Sequence, residues 1–205
     1  MTVAPDVESA EVPAERRGVR RSSAIGVLAG GVLGLAAAAT LTVEKIEILI
    51  DPSYIPSCSL NPVLSCGSVM TTPQASVFGF PNSLLGIIAF TVVLVTGVLA
   101  VARVNLPRWY WTGLAVGTAL GAVFVHWLIF QSLYRIGALC PYCMVVWAVT
   151  IPLLVIVASI ALRADTGAGA GGALYQWRWS LVALWFTAVL LMILVRFWNY
   201  WSTLV

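Results

Sequence analysis

Charged side chains are scarce in this sequence. Asp, Glu, Lys and Arg make up 9% of the 205 residues and hydrophobic residues 60%, whereas soluble domains are about 25% charged and about 45–50% apolar. A water-soluble globule of this size could not cover so much apolar surface, which excludes a soluble enzyme. A net charge of +3 is too small to suggest nucleic-acid binding. The sequence therefore predicts an integral membrane protein.

Five apolar runs are long enough to cross a bilayer, whose hydrocarbon core takes about 20 helical residues. Asp, Glu and Lys are absent from all five, and backbone groups in lipid must pair within the segment, so each run is predicted to be a helix. The runs lie at residues 24–43, 83–102, 111–130, 142–162 and 180–198. The expected fold class is an all-α integral membrane protein with five transmembrane helices. It forms a single membrane domain over 23–203, with a disordered cytoplasmic tail over 1–22 and a cytoplasmic linker over about 163–178.

Arginine is unevenly distributed between the two sides of these runs. The segments that precede run one and join runs two to three and four to five hold eight arginines, against three basic residues at the opposite ends. Cytoplasmic loops carry the excess of Lys and Arg, so the N-terminus is predicted to be cytoplasmic and the C-terminus external. Run one also resembles a secretory signal, but its length favours an uncleaved helix.

Glycines recur every fourth residue in two of the runs. Gly26, Gly30 and Gly34 lie in the first, and Gly113, Gly117 and Gly121 repeat the spacing in the third. Small residues at this spacing let membrane helices approach closely. Both stripes are therefore expected to be helix-packing faces.

Only four cysteines occur, and all fall on the predicted external side. Cys58 and Cys66 lie in the long external loop of about 44–82, which is expected to fold over the bundle with a short helix after Cys66. Cys140 and Cys143 form a Cys-Pro-Tyr-Cys motif where run four begins. The external side is oxidising, so disulfides persist there.

A Cys-x-x-Cys motif at a helix N-terminus is typical of a redox-active dithiol. The free N–H groups and the helix dipole stabilise a thiolate, and the i, i+3 spacing puts both sulfurs on one face. Proline suits the first turn because no N–H partner is required there. Two structural disulfides are an alternative. A zinc site is another, but Cys58 and Cys66 are too far apart for the usual ligand spacing.

Taken together, these motifs resemble the vitamin K epoxide reductase family and its bacterial disulfide-oxidising members. The resemblance rests on the pair Cys58 and Cys66, on Gly79-Phe-Pro-Asn82-Ser83 before run two, and on Cys140-Pro-Tyr-Cys143. It implies a four-helix bundle core around a quinone, a fifth helix outside it and an external capping loop. No fused thioredoxin-like domain is expected, because the chain stops at Val205.

The resemblance implies thiol–disulfide exchange that ends on a quinone. A separate external thioredoxin-like (DsbA-like) protein would reduce the loop disulfide at Cys58, and Cys66 would then attack Cys140 and free Cys143 beside the quinone. Asn82 matches the family position that hydrogen-bonds a quinone carbonyl, although from the residues alone it equally suits an N-cap of run two. Further residues expected at the quinone are Trp147, His126, Phe78, Phe80 and Met70.

Other functions remain open from the residues. One is a quinone or vitamin K epoxide reductase with the same chemistry, and another is a non-enzymatic membrane scaffold with structural disulfides. Ten arginines against one lysine, with abundant Ala, Gly and Val, are typical of a GC-rich bacterium. This composition favours disulfide formation at the bacterial plasma membrane, with menaquinone as the acceptor and no metal.

Overall fold

The computed structural model describes residues 19–162 and 170–203. Residues 1–18 of the expected tail and 163–169 of the expected linker lie outside the described residues. At the inner edges of both segments the expectation was wrong, because Arg21 and Ser22 belong to the first helix and the last long helix already begins at Ala170.

Five long helices in the described chain are long and apolar enough to cross a membrane, as predicted. They are α1 (Arg21–Ile50), α3 (Asn82–Val101), α4 (Arg108–Phe130), α5 (Pro141–Ala161) and α6 (Ala170–Arg196). With 30 residues, α1 is about 45 Å long and therefore extends beyond a hydrocarbon core of about 30 Å. A π-helical turn, Gln131–Ile136, continues α4 past the predicted end of run three.

The glycines of α1 bring it into close contact with its neighbours. A Cβ on Gly34 would overlap the ring of Phe90 in α3, and one on Gly30 would lie 2.7 Å from Leu153 in α5. Only glycine permits such approaches, so the packing prediction for the α1 stripe is confirmed.

The glycines of α4 do not pack in this way, and the prediction for them was wrong. Among the described residues, no heavy atom of another element lies within 4 Å of a Cβ built on Gly113, Gly117 or Gly121. These glycines face a cavity that separates α4 from α3. The two helices are joined at one end of it by a 2.6 Å hydrogen bond between Thr96 Oγ1 and Tyr110 Oη.

The segment between α1 and α3 forms the expected cap over one end of the bundle. It contains the predicted short helix after the second cysteine, α2 (Cys66–Met70), and a 3-10 turn, Pro73–Ser76. The cap is attached to the segment before α5 by backbone hydrogen bonds, from Ser65 N to Leu139 O (2.9 Å) and from Leu139 N to Val63 O (2.7 Å). Helix α6 packs on the outside through Val189 and Ile193, and Phe197, directly after the helix, joins the same cluster.

Candidate functional site

All four cysteines lie at the capped end of the bundle. Cys58 and Cys66 form a disulfide, and Cys140 and Cys143 are free thiols. The Sγ atoms of Cys66 and Cys140 are 3.2 Å apart although the residues are 74 positions apart in the chain. Cys66 and Cys140 are fully buried, and Cys58 is 6% exposed. The geometry therefore suits exchange between the two pairs at Cys66 and Cys140.

Backbone pairing explains this contact between distant residues. Leu64 and Leu139 form an isolated parallel bridge; Cys66 lies two residues after Leu64, and Cys140 directly follows Leu139. Cys66 is then held at the start of α2, where the Ser65 side chain caps the helix by accepting from Ser68 N at 3.3 Å. A single leucine near each of these cysteines is not a pattern from which the sequence could predict this bridge.

Cys140 is the N-cap of α5. Its Sγ accepts a hydrogen bond from the backbone N–H of Cys143 at 3.4 Å, and Pro141 occupies the first helical position as predicted. The hydrogen bond from the Cys143 thiol lowers the pKa of the Cys140 thiol below its usual value, and the backbone N–H groups of Cys143 and Tyr142 act in the same direction. The sulfur that contacts Cys66 therefore ionises more readily than an ordinary cysteine thiol.

Two adjacent residues near the end of α1 hold the cap on either side of its disulfide. The buried Glu44 carboxylate accepts hydrogen bonds from the hydroxyl and the backbone N–H of Ser57, next to Cys58. Lys45 Nζ donates to Met70 O, the last residue of α2, at 2.7 Å. Sequence reasoning missed both residues. The signal was a pair of adjacent opposite charges directly after the uncharged run 24–43.

Replacing Glu44 by alanine is expected to loosen the Cys58 end of the cap. The change removes the acceptor of the Ser57 donors, and because Ser57 is exposed and water can replace that acceptor, the loss is that of an ordinary hydrogen bond, about 0.5–1.5 kcal/mol. We expect a small water-soluble dithiol to reduce the Cys58–Cys66 disulfide about tenfold faster, corresponding to about 1.4 kcal/mol. The exposed Glu47, one turn onward in the same helix, provides the matched control Glu47→Ala. Equal rates for the two variants would refute the holding role of Glu44.

A cavity of about 810 Å³ begins beneath the cysteines and runs between α3 and α4. Cys143 lines it, as do Trp147, Asn82, Met70 and Phe78. Trp147 is only 3% exposed, and its indole N–H has no hydrogen-bond partner among the described residues. A buried donor without a partner is costly, so Trp147 is suited to donate to an acceptor on a molecule in the cavity.

Asn82 does not cap α3. Pro81 occupies the N-cap position, and the Asn82 side chain instead accepts from Val77 N at 3.1 Å and donates to Gln74 O at 2.7 Å. The N-cap alternative was therefore wrong, and the side chain ties the cap to α3 at the mouth of the cavity. A carboxamide has two N–H donors, so the second remains for a ligand.

Two expected quinone contacts lie elsewhere. His126 is not among the cavity-lining residues: its Nδ1 faces Ala122 O at 2.7 Å, and its Nε2 accepts from Trp185 Nε1 of α6 at 2.8 Å. It therefore joins the fifth helix to α4. Phe80 also lies outside the lining and packs on Phe78, with ring centroids 6.2 Å apart.

The residues present fit a quinone better than a metal. In residues 19–162 and 170–203, no three His, Cys, Asp or Glu side chains are grouped to hold a metal ion. The cavity instead combines apolar walls with a dithiol and a buried, unpartnered donor at one end. That combination suits a flat apolar ring with carbonyl acceptors.

Comparison with known proteins agrees with this chemistry. The model of the vitamin K epoxide reductase family matches residues 25–158, well over half of the chain and inclusive of all four cysteines. No curated protein matches the chain.

Proposed function

The chain belongs to the vitamin K epoxide reductase family of multi-pass membrane thiol oxidoreductases, which use a quinone, and from this premise we propose that it oxidises protein dithiols outside the cytoplasm. In this proposal the cysteine end faces outward and the arginine-rich ends face the cytoplasm. The electron donor is a separate thioredoxin-like (DsbA-like) protein, and the acceptor is menaquinone. The 3.2 Å contact between Cys66 and Cys140, with Cys143 at the cavity, is the observation that carries it.

The first exchange reduces the cap disulfide. A partner thiolate attacks Cys58 Sγ, the more exposed of the two sulfurs, and Cys66 leaves as a thiolate. The partner's second thiolate then attacks the partner's sulfur in this mixed disulfide. The partner leaves with a disulfide of its own, and Cys58 is released as a thiol. Two electrons now reside on Cys58 and Cys66 as two thiols.

The second exchange moves these electrons inward. Cys66 attacks Sγ of Cys140 in a Cys140–Cys143 disulfide, which forms a Cys66–Cys140 disulfide and releases Cys143 as a thiolate. Cys58 then attacks Cys66, restoring the cap disulfide and leaving thiols at Cys140 and Cys143. The described structure, with Cys58–Cys66 bridged and both inner thiols free, corresponds to the state that follows this step.

The last step occurs at the cavity. A bound quinone supplies a two-electron, two-proton acceptor, and Cys140 and Cys143 return to a disulfide as they give up these electrons and protons. Trp147 Nε1 and the second N–H of Asn82 would orient the ring by donating to its carbonyl oxygens, and Met70 and Phe78, which also line the cavity, would exclude water.

The direct test supplies purified protein in lipid with a reduced thioredoxin-like protein and menaquinone. We expect one quinol and one oxidised partner for each turnover. A protein whose disulfides are only structural would form neither product, and that result would refute the proposal. Reduction of a quinone epoxide in place of the quinone would identify the epoxide reductase instead.

Replacing Trp147 by phenylalanine is expected to weaken quinone binding without emptying the site. An aromatic ring is kept and the donor is lost, so KM for menaquinone should rise about tenfold, in line with the roughly 1–3 kcal/mol that it costs to leave a buried acceptor without its donor. Trp185→Phe is the matched control because it removes an indole N–H that faces His126, away from the cavity. An unchanged KM in Trp147→Phe, or an equal rise in both variants, would contradict the assigned role.

A further inference from the structure

Positive charge collects at the end of the bundle opposite the cysteines. All carboxylates of the described residues lie at or after Glu44, near the capped end, and Arg21, at the start of the same helix, is about 35 Å away along its axis. The arginines described at this opposite end are Arg20, Arg21, Arg103, Arg108 and Arg178. Within the described part of the chain, no acidic side chain is near enough to neutralise them.

Two of these arginines meet at one tyrosine. Arg20, directly before α1, donates from Nη1 to the hydroxyl of Tyr175 in α6 at 3.1 Å. The guanidinium of Arg178 stacks on the ring of the same tyrosine, with its Cζ 3.5 Å from the ring centroid. Tyr175 thus brings together two positive charges from different parts of the chain, and like charges repel. An anion beside both guanidiniums would offset that repulsion.

The Arg178 side chain also has donor capacity that the protein leaves unused. Its Nη1 is buried and has no hydrogen-bond partner among the described residues. A buried donor without an acceptor is costly. Guanidinium groups match the oxygens of a phosphate in both shape and charge. A phosphate group is therefore well suited to this site.

The surroundings of the two arginines are those of a membrane interface. Trp177 and Trp179, on either side of Arg178 in the chain, are 62% and 51% exposed, and tryptophan is enriched at the level of the lipid headgroups. Ile25 and Leu181, about one turn further into α1 and α6, are exposed as well. A phosphate bound here would therefore have exposed apolar side chains next to it, on the side of the hydrocarbon core.

We propose that Arg20, Tyr175 and Arg178 form a binding site for the phosphodiester headgroup of an anionic phospholipid. Helices α1 and α6 both pack on α5, and the headgroup would bridge them at the arginine-rich end. Basic pockets between membrane helices are typical binding sites of anionic lipid headgroups. The site is at the opposite end of the bundle from the cysteines, and its occupancy does not depend on the proposed function.

The test titrates dioleoylphosphatidylglycerol into the purified full chain in a non-ionic detergent and counts bound lipids by native mass spectrometry. We expect a single site that prefers this lipid at least about fivefold over dioleoylphosphatidylcholine, whose choline cancels the phosphate charge. Arg178→Gln should raise the Kd for phosphatidylglycerol about tenfold, because a hydrogen bond between charged groups is lost. Arg103→Gln is the matched control. It removes the same charge from an exposed residue between α3 and α4, and the Kd should be nearly unchanged.

Two further variants separate a defined site from general surface charge. Arg178→Lys keeps the charge but loses the planar guanidinium, so it should also weaken phosphatidylglycerol binding. Arg20→Gln should weaken it as well, and this change at an exposed residue provides the same comparison if Arg178→Gln does not fold. Phosphatidylglycerol should raise the unfolding temperature of the unmodified protein and of Arg103→Gln, but not that of Arg178→Gln.

Equal losses of affinity in Arg178→Gln and Arg103→Gln, or an unchanged affinity in Arg178→Lys, would overturn the proposal. Positive charge at this end would then attract the lipid without a defined site. Glycerol phosphate, which has the phosphate but no acyl chains, should not displace phosphatidylglycerol at equal concentration. Displacement would overturn the lipid assignment and identify a site for soluble phosphates instead.

Discussion

Serine in place of Cys143 is expected to abolish quinone reduction. Cys143 is the one cysteine that lines the cavity. The hydroxyl group of a serine can neither form a disulfide with Cys140 nor supply the electrons of a thiol. We expect the steady-state rate of quinol formation, measured with a reduced thioredoxin-like protein and menaquinone, to fall at least about a thousandfold, as it does when a nucleophile central to an enzyme is removed.

The control for this variant is a substitution in the same turn that keeps all four cysteines. Tyr142→Phe keeps the motif spacing and the helix start, and we expect it to stay within a few-fold of the unmodified rate. Appreciable turnover in Cys143→Ser would mean that electrons reach the quinone from another sulfur, and the assigned order of the cysteines would be wrong.

Serine in place of Cys66 is expected to separate the two halves of the reaction. Steady-state turnover should again fall at least about a thousandfold, because the only sulfur of the cap within 3.2 Å of Cys140 is lost. The inner pair stays intact, so enzyme reduced beforehand with a small dithiol should still form about one quinol per protein in a single turnover.

The contrast between the two variants is the informative result. Cys143→Ser should fail in both assays, whereas Cys66→Ser should fail only when the electrons come from the partner protein. Ser68→Ala, in the same short helix as Cys66, is expected to turn over normally, because among the described residues its hydroxyl hydrogen-bonds only with that of Ser65. Loss of the single turnover in Cys66→Ser would show that Cys66 takes part in quinone reduction itself.

The sequence predicted the features that come from composition and local periodicity. The five spans follow from long apolar runs, and the helix start at Pro141 follows from the Cys-Pro-Tyr-Cys motif. The same local reasoning was wrong where a residue's surroundings decide its role. The glycine spacing is identical in α1 and α4, yet one stripe meets neighbouring helices and the other faces the cavity.

Side-chain partners were likewise beyond local reasoning. His126 was expected near the quinone because it is the only histidine, but its distance from the cavity depends on where α6 packs and presents Trp185. The roles of Glu44 and Lys45 depend on how the cap folds back onto α1, to Ser57 on one side and Met70 on the other. Such long-range contacts leave no periodic pattern in the chain.

The central claim is that electrons pass from the cap pair to the cavity pair through Cys66 and Cys140. It is tested most directly by peptide mapping of disulfides in Cys143→Ser protein, in which Cys140 can attack Cys66 but has no partner of its own to complete the reaction. The account predicts that a Cys66–Cys140 disulfide accumulates and that Cys58 becomes a free thiol. A variant that keeps only the Cys58–Cys66 disulfide, or that forms a Cys58–Cys140 disulfide instead, would contradict it.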